Sequence, residues 1–306
     1  FVERIEQPIR LSGLFNGRIE NFKFTRMNID VGNTHLSGSI NMDGLPNINE
    51  TFMVIDLRNS IVDPEDLSFL FNEKTLNRLT PMGRLSLDGQ FLGYPNDFVA
   101  NGNFTGILGA IHSDINFKVN EQDFDQSVYS GSLSLKEFDL GTYLNDTLTF
   151  QKVSMDGNIS GKGLTRNSAD FQLNGHIYQV GVKGYNYTNI VTDARLAAER
   201  FNGLVSINDP NLELKAVGSI DLREGKNTLK IRALLDTAYL QKLNLSKDSI
   251  FLRTELVADI KGLSLDSLEG TADFRDFMVS YNTESLALDT IHLDARRDKD
   301  HRSFIL

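Results

Sequence analysis

Leu36-Ser37-Gly38-Ser39-Ile40-Asn41-Met42 alternates apolar and small polar residues with a period of two, and its reading decides the fold. That period places every second side chain on one side of an extended backbone, as in a strand with one apolar face. The pattern returns at Ile115-Asn116-Phe117-Lys118-Val119, from Tyr129 to Leu135 and from Leu212 to Leu222. The expected class is all-β.

Many of these segments share the motif apolar-x-Gly-x-apolar, with Gly38, Gly89, Gly131, Gly157, Gly175 and Gly218 on the apolar side. A glycine inside a strand weakens it and marks a bend, a bulge or a close backbone approach. A sheet notched repeatedly on one face can curl.

A longer repeat is superimposed on the strands. Asp63-Pro64-Glu65-Asp66-Leu67-Ser68-Phe69-Leu70, Phe138-Asp139-Leu140-Gly141-Thr142-Tyr143-Leu144 and Leu235-Asp236-Thr237-Ala238-Tyr239-Leu240 each read as a short helical element with Asp at the N-cap. The first extends as a helical insert to about Leu79, with Leu67, Leu70, Phe71 and Leu79 available to cover the sheet. A strand follows each element, from Arg84, Lys152 and Arg253, and then a second strand carrying Gly102, Gly175 or Gly270. Sub-repeats starting near 63, 139 and 236 are the signature of stacked units that bury their faces against neighbours. With no separating linker, residues 1–306 read as one continuous β-repeat segment.

Composition narrows the functions. Apolar residues make up 40% and charged residues 24%, values of a folded globular chain. A net charge of -10, with Lys and Arg scattered singly, argues against nucleic acid as a partner, because phosphate binding needs clustered cations. The absence of cysteine removes disulfides and thiolate chemistry. No run of about 18 apolar residues is present to span a bilayer. The start at Phe1-Val2-Glu3-Arg4 and the apolar end Ser303-Phe304-Ile305-Leu306 are those expected of a segment from a longer protein.

Catalytic signatures are lacking in the sequence. His35, His112, His176, His292 and His301 never fall at metal-ligand spacings, and most occupy alternating strand positions. Gly-x-Ser-x-Gly elbows and phosphate-cradling loops do not occur. The carboxylates Asp63, Glu65 and Asp66 sit at a helix start and Asp123 and Asp125 in a loop, where the helix dipole and solvation account for them. No enzyme, metal or cofactor is expected. Asp-Ser/Thr-apolar triplets at Asp146, Asp236, Asp248, Asp266 and Asp289 match an envelope-protein glycosylation signal, but opening turns and caps is the simpler role.

Taken together, the glycine-notched strands, the Asp-Leu inserts and the stacked repeat resemble the AsmA-like superfamily, and within it the TamB-type translocation and assembly module proteins. The resemblance is carried by Gly17 to Phe24, Thr34 to Ile48, Glu50-Thr51-Phe52 and Phe138 to Leu144. It implies a twisted repeat sheet bent into an open groove, a β-taco or repeating β-groove. It further implies a periplasmic segment of a protein anchored in the inner membrane, conducting phospholipid acyl chains toward the outer membrane. A scaffold for outer-membrane protein assembly, pairing strands with clients, is the alternative. An outer-membrane barrel protein would be the docking partner, through a C-terminal region that this segment lacks.

The residues expected to line such a groove are Leu36, Ile40, Ile115, Phe117, Leu133, Leu135, Ile159, Leu173, Ile177, Leu214, Ile220 and Ala258. Period-two alternation alone leaves open whether they face a groove or the closed core of a sandwich or barrel.

Overall fold

The computed structural model describes residues 8–66, 68, 76, 79–163, 165, 167–262, 267–297 and 302–305. Backbone packing resolves the chain into two compact units, residues 1–147 with 151–164 and residues 148–150 with 165–306. Each is an antiparallel meander in which every strand pairs with its neighbour in sequence.

The first unit contains β1 (Ile9–Arg18), β2 (Asn21–Val31), β3 (Thr34–Asp43), β4 (Phe52–Val62), β5 (Leu85–Tyr94), β6 (Asp97–Gly106), β7 (Gly109–Lys118), β8 (Val128–Asp139) and all of β9 (Phe150–Lys162) beyond its first residue. The second contains β10 (Asp170–Val182), β11 (Tyr185–Ala197), β12 (Arg200–Asp209), β13 (Leu212–Asp221), β14 (Thr228–Tyr239), β15 (Ile250–Lys261), β16 (Glu269–Tyr281), β17 (Glu284–Arg297) and β18 (Arg302–Ile305). Among the described residues, neither meander pairs its first strand with its last, so neither sheet closes on itself. The all-β class, the open sheet and the short helical insert agree with the sequence expectation.

Register decides which side chains become neighbours. In the first unit Phe15, Phe24, Ile40, Ile55, Phe91, Ala100, Ile115, Gly131 and Ile159 are successive cross-strand partners, one per strand. A parallel line runs through Met27, Gly38, Leu57, Gly89, Gly102, Ser113, Leu133 and Gly157. In the second unit the corresponding line is Leu173, Ala194, Gly203, Gly218, Ile231, Ala258, Ala272 and Leu293. Small residues therefore stack into a seam across each sheet.

Two of the seam glycines explain why the motif demands that residue. Gly38 has φ +149 and Gly218 φ +151, a mirror-image extended backbone that other residues avoid. A Cβ at Gly38 would lie 1.9 Å from the Asp56 carbonyl oxygen of the next strand, and one at Gly218 would lie 2.1 Å from that of Lys230. Only hydrogen fits there.

Longer connections leave β4 and β8 at the same end of the first sheet, because alternate strands of a meander run the same way. Helix α1 (Leu140–Leu144) starts at Asp139, whose carboxylate accepts from the Thr142 amide at 2.9 Å, and ends at left-handed Asn145. Its ring Tyr143 packs edge-on against buried Phe138, and the helix lies beside the 3-10 turn Thr80–Met82. Of the expected insert at 63–79, Leu67, Leu70 and Phe71 lie outside the described residues. Its start is a turn in which the Asp66 amide donates to the Asp63 carbonyl.

The third expected helical element, Leu235 to Leu240, is instead, up to Tyr239, the end of strand β14. Its register shifts between Leu235 and Ala238, absorbing Asp236 and Thr237, and Ala238 then pairs with Leu252. Burial of Ala238 and the pairing of Tyr239 with Phe251 favour strand over helix, overriding the local Asp-Thr cap signal. The chain turns only after Leu240, in a loop that buries Leu243.

Gly38→Val and Gly218→Val should each cost about 3 kcal/mol, since the substituted Cβ meets backbone that cannot step aside. Gly225→Ala, where a Cβ meets nothing within 4 Å, should cost only about 1 kcal/mol for its left-handed φ. Urea unfolding of the three variants makes the comparison, and equal losses would refute the seam's steric role.

Candidate functional site

The groove residues expected from the sequence divide between the two sheets, and within each sheet the register places them on the same face. In the first unit Ile40, Ile115 and Ile159 lie on the line that also carries Phe24, Ile55 and Phe91. Leu133 lies on the seam, and Leu135 pairs with Ile111 and Met155 one step along. Leu36 pairs with Ile29.

Phe117 belongs to a line of aromatic and sulfur side chains. Phe22, Met42, Met53, Gly93, Phe98, Phe117 and Tyr129 follow one another as cross-strand partners. Ring centroids are 4.5 Å apart for Phe91 and Phe98, 5.7 Å for Phe98 and Phe117, and 6.2 Å for Phe117 and Tyr129. The Tyr129 hydroxyl donates to the Gly163 carbonyl at 3.1 Å, which leaves the ring itself apolar.

In the second unit Leu173 and Ala258 lie on the small-residue seam. Ile220 belongs to the line Phe171, Leu196, Phe201, Ile220, Leu229, Ile260. Ile177 and Leu214 belong to Ile177, Ile190, Ile207, Leu214, Leu235.

Exposure separates an open face from a closed core. Leu173 and Ala258 are 4% and 3% exposed, whereas Leu36, Ile40, Ile115, Phe117, Leu133, Leu135, Ile159, Ile177, Leu214 and Ile220 are only half-buried. The strands hydrogen-bond with their sequence neighbours. A second layer across the face would bury such side chains fully, as in a sandwich. Phe24, Met27, Met53, Tyr129 and Ile190 on the same lines are buried, so each sheet presents a continuous apolar face in which buried and half-buried side chains are mixed.

Sequence reasoning missed Phe24, Ile55, Phe91, Phe98, Ile190 and Ile207, which share these lines. Period-two alternation was present at Phe24 and Ile207, but Ile55, Phe91, Phe98 and Ile190 each adjoin a second apolar residue (Val54, Leu92, Val99, Val191) that blurs it, and which strands lie side by side is set by register.

The reverse faces carry the polar chemistry. Asp56 accepts from Gln90 and Arg58, Lys230 pairs with Asp259 at 2.8 Å, and Arg195 holds Asp170 through two nitrogens. His35, His112 and His292 bond to Asp30, Asn103 and Asp273 of the adjacent strand, and the His176 ring lies tilted against Tyr178 of its own strand, centroids 4.4 Å apart. His301 lies outside the described residues. Cross-strand pairing on the solvent side explains His35, His112 and His292. The guanidinium of Arg223 holds the Asp221 carboxyl down to about 2. Of the Asp-Ser/Thr triplets, Asp248 lies in a turn, Asp289 lies within β17, and Asp266 is outside the described residues.

Asp209, 5% exposed, is the buried acid among the described residues. Burial pushes its carboxyl up, but hydrogen bonds from Tyr185, Asn211 and Thr188 outweigh that and hold it below the ordinary value. The Thr188 hydroxyl and amide donate at 2.8 and 3.0 Å, the Asn211 amide at 2.9 Å, and the Tyr185 hydroxyl also donates. Burial and the same carboxylate keep the Tyr185 phenol protonated. These bonds tie the β12–β13 turn to the start of β11. Among the described residues no group of three or more His, Asp or Glu side chains is placed to hold a metal ion.

Comparison of the chain with protein-family models, with curated proteins and with solved structures gives no match. Among the described residues no helix is long and apolar enough to cross a membrane.

A carboxylate held below its ordinary value stabilises the fold above the unfolded pKa, near 3.8, and that stability disappears as pH falls through the folded value. Asp209→Asn should therefore lose about 1–3 kcal/mol at pH 7 and progressively less below pH 4. Urea midpoints of both proteins across that range measure it; parallel curves would show that the carboxylate contributes no pH dependence.

Proposed function

We propose that the apolar faces hold the acyl chains of phospholipids, and that the protein is a segment of a lipid-conducting groove between the inner and outer membranes. The observation that carries this reading is the apolar face that continues from strand to strand with Ile40, Ile115, Phe117 and Ile159 only half-buried. Exposed apolar surface of that continuity is unfavourable in water unless something occupies it.

Burying an acyl chain of fifteen carbons from water is worth roughly 12 kcal/mol, and an open face that shields one side recovers about half of that. Such a gain is enough to draw a chain out of water, yet the face offers no fixed polar anchor to hold it in one register. Leu, Ile, Phe and Met side chains let a chain slide, and headgroups stay in solvent. Little headgroup selectivity is expected. The negative charge of the chain disfavours adsorption to anionic headgroups, which leaves apolar contact as the main term. The periplasm as the place of action is supported by the resemblance of the repeat pattern.

Native mass spectrometry with lipid extraction tests the reading on wild type, Phe117→Asp and Asn116→Asp. Phe117 is on the apolar face; Asn116, its exposed neighbour, is on the reverse face and receives the same charge. Phospholipid should co-purify with wild type and Asn116→Asp and be lost, by tenfold or more, from folded Phe117→Asp. Wild-type protein that carries no lipid and takes up no fluorescent phospholipid would overturn the proposal.

A further inference from the structure

We infer that Ser249 is the acceptor of an O-linked glycan, recognised through the triplet Asp248-Ser249-Ile250. A turn or cap explains an Asp-Ser/Thr pair where the carboxylate accepts a nearby backbone amide. At Asp248 that explanation fails. Its carboxylate is exposed and takes no hydrogen bond or ion pair among the described residues; the Asp248 amide is instead the donor, to the Ser246 hydroxyl at 3.0 Å. The Ser249 hydroxyl beside it is exposed and unbonded as well. Two adjoining polar groups on a loop, with no partner in their own fold, are open to recognition by another protein.

The rest of the loop is fastened while these two groups are left out. Residues 240–249 join β14 to β15, and Leu243 within them is 1% exposed. The Gln241 side-chain amide donates to the Lys247 carbonyl at 3.0 Å, and the Asn244 side chain reaches the Lys183 carbonyl at 3.4 Å. The Ser249 carbonyl accepts from the Asn282 amide at 2.9 Å, and half-buried Ile250 begins β15. Acid, hydroxyl and apolar side chain are therefore presented in a fixed order at a strand end.

The other triplets lack this combination. Asp146 is half-buried, and its amide closes the end of α1 on the Gly141 carbonyl. Thr237 is half-buried in the register shift of β14, and Thr290 lies within β17 with its backbone opposite Arg275. At Ser249 the transfer balances simply. The Ser249 Oγ attacks the anomeric carbon of a glycosyl diphosphate donor, the bond from that carbon to the diphosphate oxygen breaks, and the diphosphate leaves with the electron pair. The hydroxyl proton passes to a base of the transferase.

Trypsin cutting after Lys247 and Arg253 releases residues 248–253, in which Ser249 carries the only hydroxyl. Mass spectrometry of that peptide, from protein purified out of the cells that produce it, provides the test. The wild-type peptide should carry a sugar mass increment and release sugar oxonium ions on fragmentation. Ser249→Ala and Asp248→Asn should abolish the increment and Ser249→Thr should keep it, with circular dichroism confirming that each variant folds. An unmodified wild-type peptide overturns the inference, and so does an increment that persists in Asp248→Asn, since the triplet would then not be what is recognised. Ser249→Ala should co-purify with as much phospholipid as wild type, so the result stands apart from the lipid-binding reading.

Discussion

Cross-strand register is the constraint on which the other properties of this protein depend. A line of partners that begins at Phe15 and ends at Ile159 keeps one apolar side chain, or a glycine, on the same face of each strand it crosses. Because the side-chain period of a strand is two, a slip of one residue anywhere would turn that strand's apolar set outward. The glycine seam guards against it. At Gly38 and Gly218 the neighbouring backbone stands where a side chain would be, so only a register that brings glycine to that point can form.

From that constraint follows the difference between the two faces of each sheet. The apolar face mixes buried side chains such as Phe24, Met27, Met53 and Leu173 with half-buried ones such as Ile40, Ile115 and Phe117, each flanked by cross-strand neighbours. The reverse face pairs its charges across strands, as in Lys230 with Asp259 and His292 with Asp273. Such exposed pairs contribute little stability, and their value lies in keeping that face wetted and the pairing in order.

The polar network around Asp209 shows where the fold needs local fixing. Hairpin turns at the ends of long strands have few apolar contacts, and there the Tyr185, Thr188 and Asn211 donors converge on one carboxylate. Helix α1, capped by Asp139, does similar work at the end of β8. Both are devices for holding ends, and the faces between them need none.

Much of this was legible in the amino-acid sequence alone. Alternation in segments such as Leu36 to Met42 determined the strands and assigned Ile40, Phe117 and Ile220 to the apolar side, because that assignment depends only on a period of two. The Asp139 cap was legible for the same local reason. Leu235 to Leu240 was misread, since its cap signal is local while the pairing of Ala238 with Leu252 that overrides it is not. Which lines the side chains join, that Phe91, Phe98, Phe117 and Tyr129 form a ladder, and how far each side chain of the face is buried are matters of tertiary structure. They depend on contacts between residues distant in sequence, and a one-dimensional pattern has the same form whether its apolar face is open or covered.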